Sequence, residues 1–183
     1  EEFSQFLDHL KPEDLKNTWA MNHDWIIGVI GQHSCDAELY EVARQVGKGI
    51  AERGAVLLCG GLGGVMEAAC RGAKQAGGFT VGILPGSSGA DANPYVDLKI
   101  VTGLGEARNL VVVLSASALV ACGGQAGTLS EIGFALRHGK ILVGLNTWRI
   151  QDPAGKEDFF PQFQEPEAAL NYVWSKLERN HAL

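Results

Sequence analysis

The chain has 183 residues, 46% of them hydrophobic and 20% charged, which suits one domain with a full core. Its net charge of −6 and pI of about 5.3 argue against non-specific binding to nucleic acid or to an anionic membrane. Its 24 glycines gather in a few short stretches, and its four cysteines form neither a C-x-x-C pair nor a zinc pattern with histidine.

Phe3, Phe6, Leu7 and Leu10 share helical spacing, and Pro12 opens a second short stretch over 12–20. Residues 1–24 are therefore expected to form a helical arm, and residues 25–183 the body. WIIGVIG (25–31) is a continuous apolar run between turn residues, the pattern of a buried parallel strand. Residues 36–53 place Leu39, Val42, Ala43, Val46 and Ile50 on one helical stripe. A strand is predicted over 55–59, an Ala- and Gly-rich helix over 64–76 and a strand over 79–84. After a loop over 85–95 come a strand at 97–101, a helix at 105–115 and a strand at 118–122. A helix over 127–138 is expected to turn Leu129, Ile132, Gly133 and Leu136 inward. A sixth strand (141–145), an irregular stretch (147–164) and a last helix (165–180) complete the chain.

This alternation predicts an α/β fold: a doubly wound, Rossmann-like parallel sheet of about six or seven strands with helices on both faces, in a single domain. Ligands of such sheets sit outside the carboxyl ends of the strands. The glycine clusters fall at those ends, in Gly31–Ser34, Gly60–Gly64 and Gly123–Thr128. No apolar stretch reaches the roughly 18 residues of a membrane span, and no secretory pattern is evident, so a cytoplasmic protein is expected.

Gly123, Gly124 and Gly127 strip side chains from a helix start. They leave its first N–H groups and the positive end of its dipole open to an anion, with a phosphate as the expected guest. Thr128-x-x-Glu131 also spells a capping box, in which the carboxylate serves a backbone donor. Alternatively Thr128 and Glu131 share a face directed at the pocket, where an anionic Glu131 would stabilise charge at an anomeric carbon or activate water. Arg108 is placed either to clamp a phosphate or carboxylate or to pair with Glu106 at the surface. GGLGGVM (60–66) has Met66 where a dinucleotide fingerprint needs Gly or Ala, and no Walker A motif is present. His33 and Ser34 are weaker loop candidates, and His138 suits a helix C-terminus.

GGLGGVMEAACRGAKQAGGFTVGILPG, ANPYVD, TGLGEARN and GGQAGTLSEIGFAL together resemble the Lonely Guy and molybdenum-cofactor-carrier superfamily over residues 26–146. The resemblance implies a Rossmann-like fold, a homodimer or tetramer, and a small phosphorylated ligand, either a nucleotide or a pterin. One branch hydrolyses the N-glycosidic bond of nucleoside 5′-monophosphates, cytokinin ones included, with no required cofactor. By that resemblance Arg108 and Glu131 are the catalytic residues. The ligand-binding set is Gly31, Ser34, Gly60, Gly61, Gly63, Gly64, Met66, Asn109, Gly123, Gly124, Gly127 and Thr128, with no metal ligand. The other branch binds the molybdenum cofactor without turning it over, and ANPYVD and TGLGEARN are closer to it. A nucleotide sensor is a third reading, and DNA binding is disfavoured by the acidic balance. Cys122 stands where the hydrolase motif has Pro, and Gln125-Ala126 where it has one residue. Lysine decarboxylation, a label such proteins often carry, is not expected, because no lysine sits in a pyridoxal-phosphate context.

Overall fold

The six apolar runs all become strands: β1 Ile26–Gly31, β2 Val56–Cys59, β3 Thr80–Leu84, β4 Leu98–Val101, β5 Ala118–Cys122 and β6 Ile141–Leu145. The structure, a computed structural model, describes residues 25–157 and 159–181, so the helical arm expected over 1–24 lies outside the described residues. A seventh strand, β7 Gln162–Phe163, pairs with β6 inside the stretch expected to be irregular. Two residues carry no periodicity, and this pairing rests on main-chain bonds such as Gly144 N–H to the Pro161 carbonyl at 2.9 Å.

All pairings are parallel, in the order β4-β3-β2-β1-β5-β6-β7. The direction of winding reverses between β1 and β5, where Gly31 lies beside Cys122 at the carboxyl ends of both strands. The turns carrying Gln32 and Gly123 therefore leave the sheet side by side, at the crevice where such sheets take ligands.

Helices α1 (Ala37–Glu52), α2 (Val65–Gln75) and α5 (Pro166–His181) cover one face of the sheet, burying Val46, Ile50, Ala69 and Val173. Helices α3 (Arg108–Ser115) and α4 (Ala126–Arg137) cover the other, burying Val112, Val113, Ile132 and Ala135. Each fully buried Val, Leu or Ile contributes roughly 1.5–3 kcal/mol. The Asp36 carboxylate caps α1, accepting the Leu39 N–H at 2.8 Å.

The expected inner face of α4 is corrected. Ile132 is buried, but Leu129 is 37% exposed and Gly133 is open, whereas Thr128 and Glu131 face inward. The helix begins at Ala126 rather than 127, and its buried face carries two polar residues that an apolar-stripe rule sends to solvent.

Helices α1 and α2 meet backbone to backbone. A Cβ on Gly47 would overlap the Ala69 carbonyl, and one on Gly72 would overlap the Arg44 carbonyl. Gly47→Val is expected to lower stability in urea denaturation by about 3 kcal/mol, the upper part of the usual overpacking range, because main chain rather than a rotatable group must give way.

Candidate functional site

Beside the switch point lies a cavity of about 340 Å³, into which β1, the turn after β2, and α2, α3 and α4 all send residues. It gathers eight of the sequence candidates: Gly31, Gly60, Met66, Arg108, Asn109, Gly127, Thr128 and Glu131. The turn before α4 supplies unpaired main-chain donors at one end of the cavity. The first helical bond runs from Leu129 N–H to the Gln125 carbonyl, so the N–H groups of Ala126, Gly127 and Thr128 precede the ladder.

Arg108, the first residue of α3, is 8% exposed, and its Nε is buried with no hydrogen-bond partner. The surface pair with Glu106 is absent. The guanidinium lies against Gly60, where a Cβ would collide with it. Burial works against its charge, and the nearby Glu131 carboxylate favours it.

Glu131 is 6% exposed and sits in the second turn of α4. Its carboxylate makes no hydrogen bond, so the capping-box reading fails: Gln125, not Thr128, is the N-cap. Burial pushes the carboxyl up to about 7 from the ordinary 4.5, and the positive charge of Arg108 pulls it back only in part. A carboxyl that titrates near neutrality can both take and give a proton at working pH. His33 is a further cavity residue to which sequence gave little weight; its Nδ1 accepts the Gly63 N–H at 3.3 Å.

The other six candidates lie outside this cavity. Gly61, Gly63 and Gly64 shape the turn after β2: Gly61 packs on Gly82 and Leu84, while Gly63 and Gly64 pack on His33. Ser34 offers its carbonyl to the Gln32 side chain at 2.8 Å. Gly123 and Gly124 line a neighbouring open groove of about 560 Å³. Gln32, a residue absent from the sequence candidates, stands between the two spaces and lines both. Its Oε1 accepts the Gly124 N–H at 3.0 Å. Only the β1–β5 adjacency reveals this position, and sequence does not carry strand order.

Among the described residues, no cluster of three His, Cys, Asp or Glu side chains is placed to hold a metal ion, and no helix is long and apolar enough to cross a membrane. The four cysteines are free thiols.

A model described as the SLOG cluster4 family matches residues 24–175. An uncharacterised protein of Archaeoglobus fulgidus is 46% identical over 149 residues, spanning 81% of this chain and 94% of its own. A cytokinin riboside 5′-monophosphate phosphoribohydrolase of Mycobacterium tuberculosis is 34% identical over 136 residues, spanning 68% of this chain and 72% of its own. The solved structure of the molybdenum cofactor binding protein from Rippkaea orientalis superposes with a TM-score of 0.73 at 39% identity, covering 83% of this chain and 96% of that one.

Proposed function

This chain belongs to the SLOG cluster4 family, within the Lonely Guy and molybdenum-cofactor-carrier superfamily, and from that premise we propose that it binds a small phosphorylated nucleotide-like ligand and hydrolyses its N-glycosidic bond. The observation that carries the proposal is the pairing of Arg108 and Glu131. Both are buried and unbonded, and both line one cavity beside the bare start of α4.

In this reading the N–H groups of Gly127 and Thr128, with the Thr128 hydroxyl, hold the phosphate, and Arg108 neutralises it or orients the ribose. As the glycosidic bond breaks, the base leaves with the bonding pair and positive charge grows at the anomeric carbon. Ionised Glu131 stabilises that charge and takes a proton from the water that adds there. The base takes up a proton, and the products are free base and ribose 5-phosphate. No metal or organic cofactor enters these steps.

The second reading is storage of the molybdenum cofactor as cargo. It is favoured by the 39% identity to a molybdenum cofactor binding protein across nearly all of that chain, and by the wide groove beside the cavity. The superfamily resemblance also implies a homodimer or tetramer, and the exposed Leu104, Leu114 and Leu129 are available to such a contact.

The test is chromatography of free base after incubation with a panel of nucleoside 5′-monophosphates. Base release by the wild type and its loss in Glu131→Gln is the expected result. A folded wild type that binds these nucleotides and frees no base overturns the hydrolase reading and leaves the carrier reading, to be checked by molybdenum-cofactor retention.

A further inference from the structure

Two buried thiols bracket the turn after β2 and take no part in the chemistry at Glu131. Cys59 ends β2, Cys70 lies within α2, and their sulfurs are 3.5 Å apart with neither residue exposed. The chain between them includes the whole turn, in which four of the five residues over 60–64 are glycine. Cys59 Sγ also accepts the Gly61 N–H at 3.3 Å. The residue after Cys59 is Gly60, against which the Arg108 guanidinium lies. The sulfur pair is thus built into the same few residues that seat Arg108.

The two sulfurs are not equivalent. The Cys70 thiol, the Gly61 N–H and the positive charge of Arg108 all favour the Cys59 anion, and together they outweigh burial and the opposing charge of Glu131, so its pKa is lowered. The bond to Cys59, together with burial, pushes the Cys70 thiol up. A nucleophilic sulfur beside a resolving thiol is the arrangement of a disulfide-forming pair. A disulfide needs about 2.0 Å between its sulfurs, so the pair must close by roughly 1.5 Å. A turn made of glycine can absorb that movement in its main chain.

We propose that Cys59 and Cys70 form a redox modification site, at which hydrogen peroxide joins them in a reversible disulfide that loosens the seat of Arg108. The effect on binding rests on the proposed role of Arg108 toward the ligand; the disulfide itself does not. The Cys59 thiolate attacks one peroxide oxygen, the O–O bond breaks, and Cys59 becomes a sulfenic acid as hydroxide leaves and is protonated to water. The Cys70 sulfur then attacks the Cys59 sulfur and gives up its proton. The S–O bond breaks, the S–S bond forms, and a second water leaves. Two thiols are oxidised by two electrons and one peroxide is reduced to two waters. Because both thiols are sealed in the closed turn, the reaction waits on local opening of the glycine segment and admits only a small oxidant. In the disulfide, the Cys59 sulfur moves toward α2 and loses its hold on the Gly61 N–H. Gly60 is then no longer fixed beneath the guanidinium.

Peptide mapping and calorimetric titration with AMP, on the full chain before and after hydrogen peroxide, test this. Tryptic cleavage after Arg53 and Arg71 leaves both thiols in one peptide. That peptide is expected to lose two hydrogens and to resist alkylation until dithiothreitol is added. AMP affinity is expected to fall about fivefold on oxidation and to return on reduction. Cys35 is the half-buried thiol, and Cys35→Ser is expected to keep the whole effect. The inference is overturned if Cys59 and Cys70 stay alkylatable after Cys35 has been oxidised, or if Cys35→Ser abolishes the loss of affinity. A mapped disulfide with unchanged AMP affinity overturns the link to Arg108. If the reduced chain binds no AMP, the ligand reading falls and the peptide map alone decides the modification site.

Discussion

Glu131→Gln is expected to make the protein more stable at pH 8 and to lower base release by roughly 10²–10⁴-fold. Both effects come from one buried carboxyl. Its folded value near 7 lies above the ordinary 4.5 because burial penalises the anion more than Arg108 favours it. Between those two pH values the folded chain holds a proton that the unfolded chain has released. Stability contributed by the neutral carboxyl is therefore complete below about pH 4.5, falls as pH rises to about 7, and stays lost above that. The full loss is on the order of 3 kcal/mol. Glutamine has the same shape and never ionises, so the variant should exceed wild type by about 1–3 kcal/mol at pH 8 and match it near pH 4.5. Urea denaturation at the two pH values reads the difference directly. Equal stability at pH 8 would mean that water reaches the carboxylate and that its neutral-range titration is lost.

The second large effect is expected from Gly60→Ala. Gly60 does not hold a positive φ, so alanine fits the main chain. The added methyl instead takes the place of the Arg108 guanidinium, which lies on the bare Gly60 Cα. The guanidinium is the flexible partner and moves out, abandoning the cavity. A charged hydrogen bond is worth about 1.5–3 kcal/mol, so AMP affinity should fall roughly 10–100-fold with the fold intact. Arg108→Ala should cause a similar loss, and the double variant should lose little more than either single one. Losses that add in the double variant would show that Gly60 acts apart from Arg108.

The strands were legible because parallel strands buried on both faces are written as unbroken apolar runs. β7 was not, because two residues held by main-chain bonds have no side-chain signature. Arg108 and Glu131 could be named from residue type and from the superfamily resemblance, but their surroundings could not. The Thr-x-x-Glu pattern suggested a cap, whereas the helix starts two residues before Thr128 and turns both polar residues inward. A buried site breaks the rule that sends charge to solvent, and that is where pattern reasoning is expected to fail. Gly123 and Gly124 looked like part of the Glu131 pocket because they are close to Thr128 in sequence. Gln32, arriving from β1, intervenes and gives them to the groove.

The glycine contact between α1 and α2 has an evolutionary consequence. Each of these helices continues a rim turn, α1 from β1 and α2 from β2, and Gly47 and Gly72 lock the pair where no side chain fits. The floor of the Glu131 cavity is thereby tied to positions that drift cannot easily alter. The segment after β6, with the exposed Trp148 and Arg149, sits outside that lock. Residues of that segment can therefore be exchanged one at a time without disturbing the packing of α1 on α2.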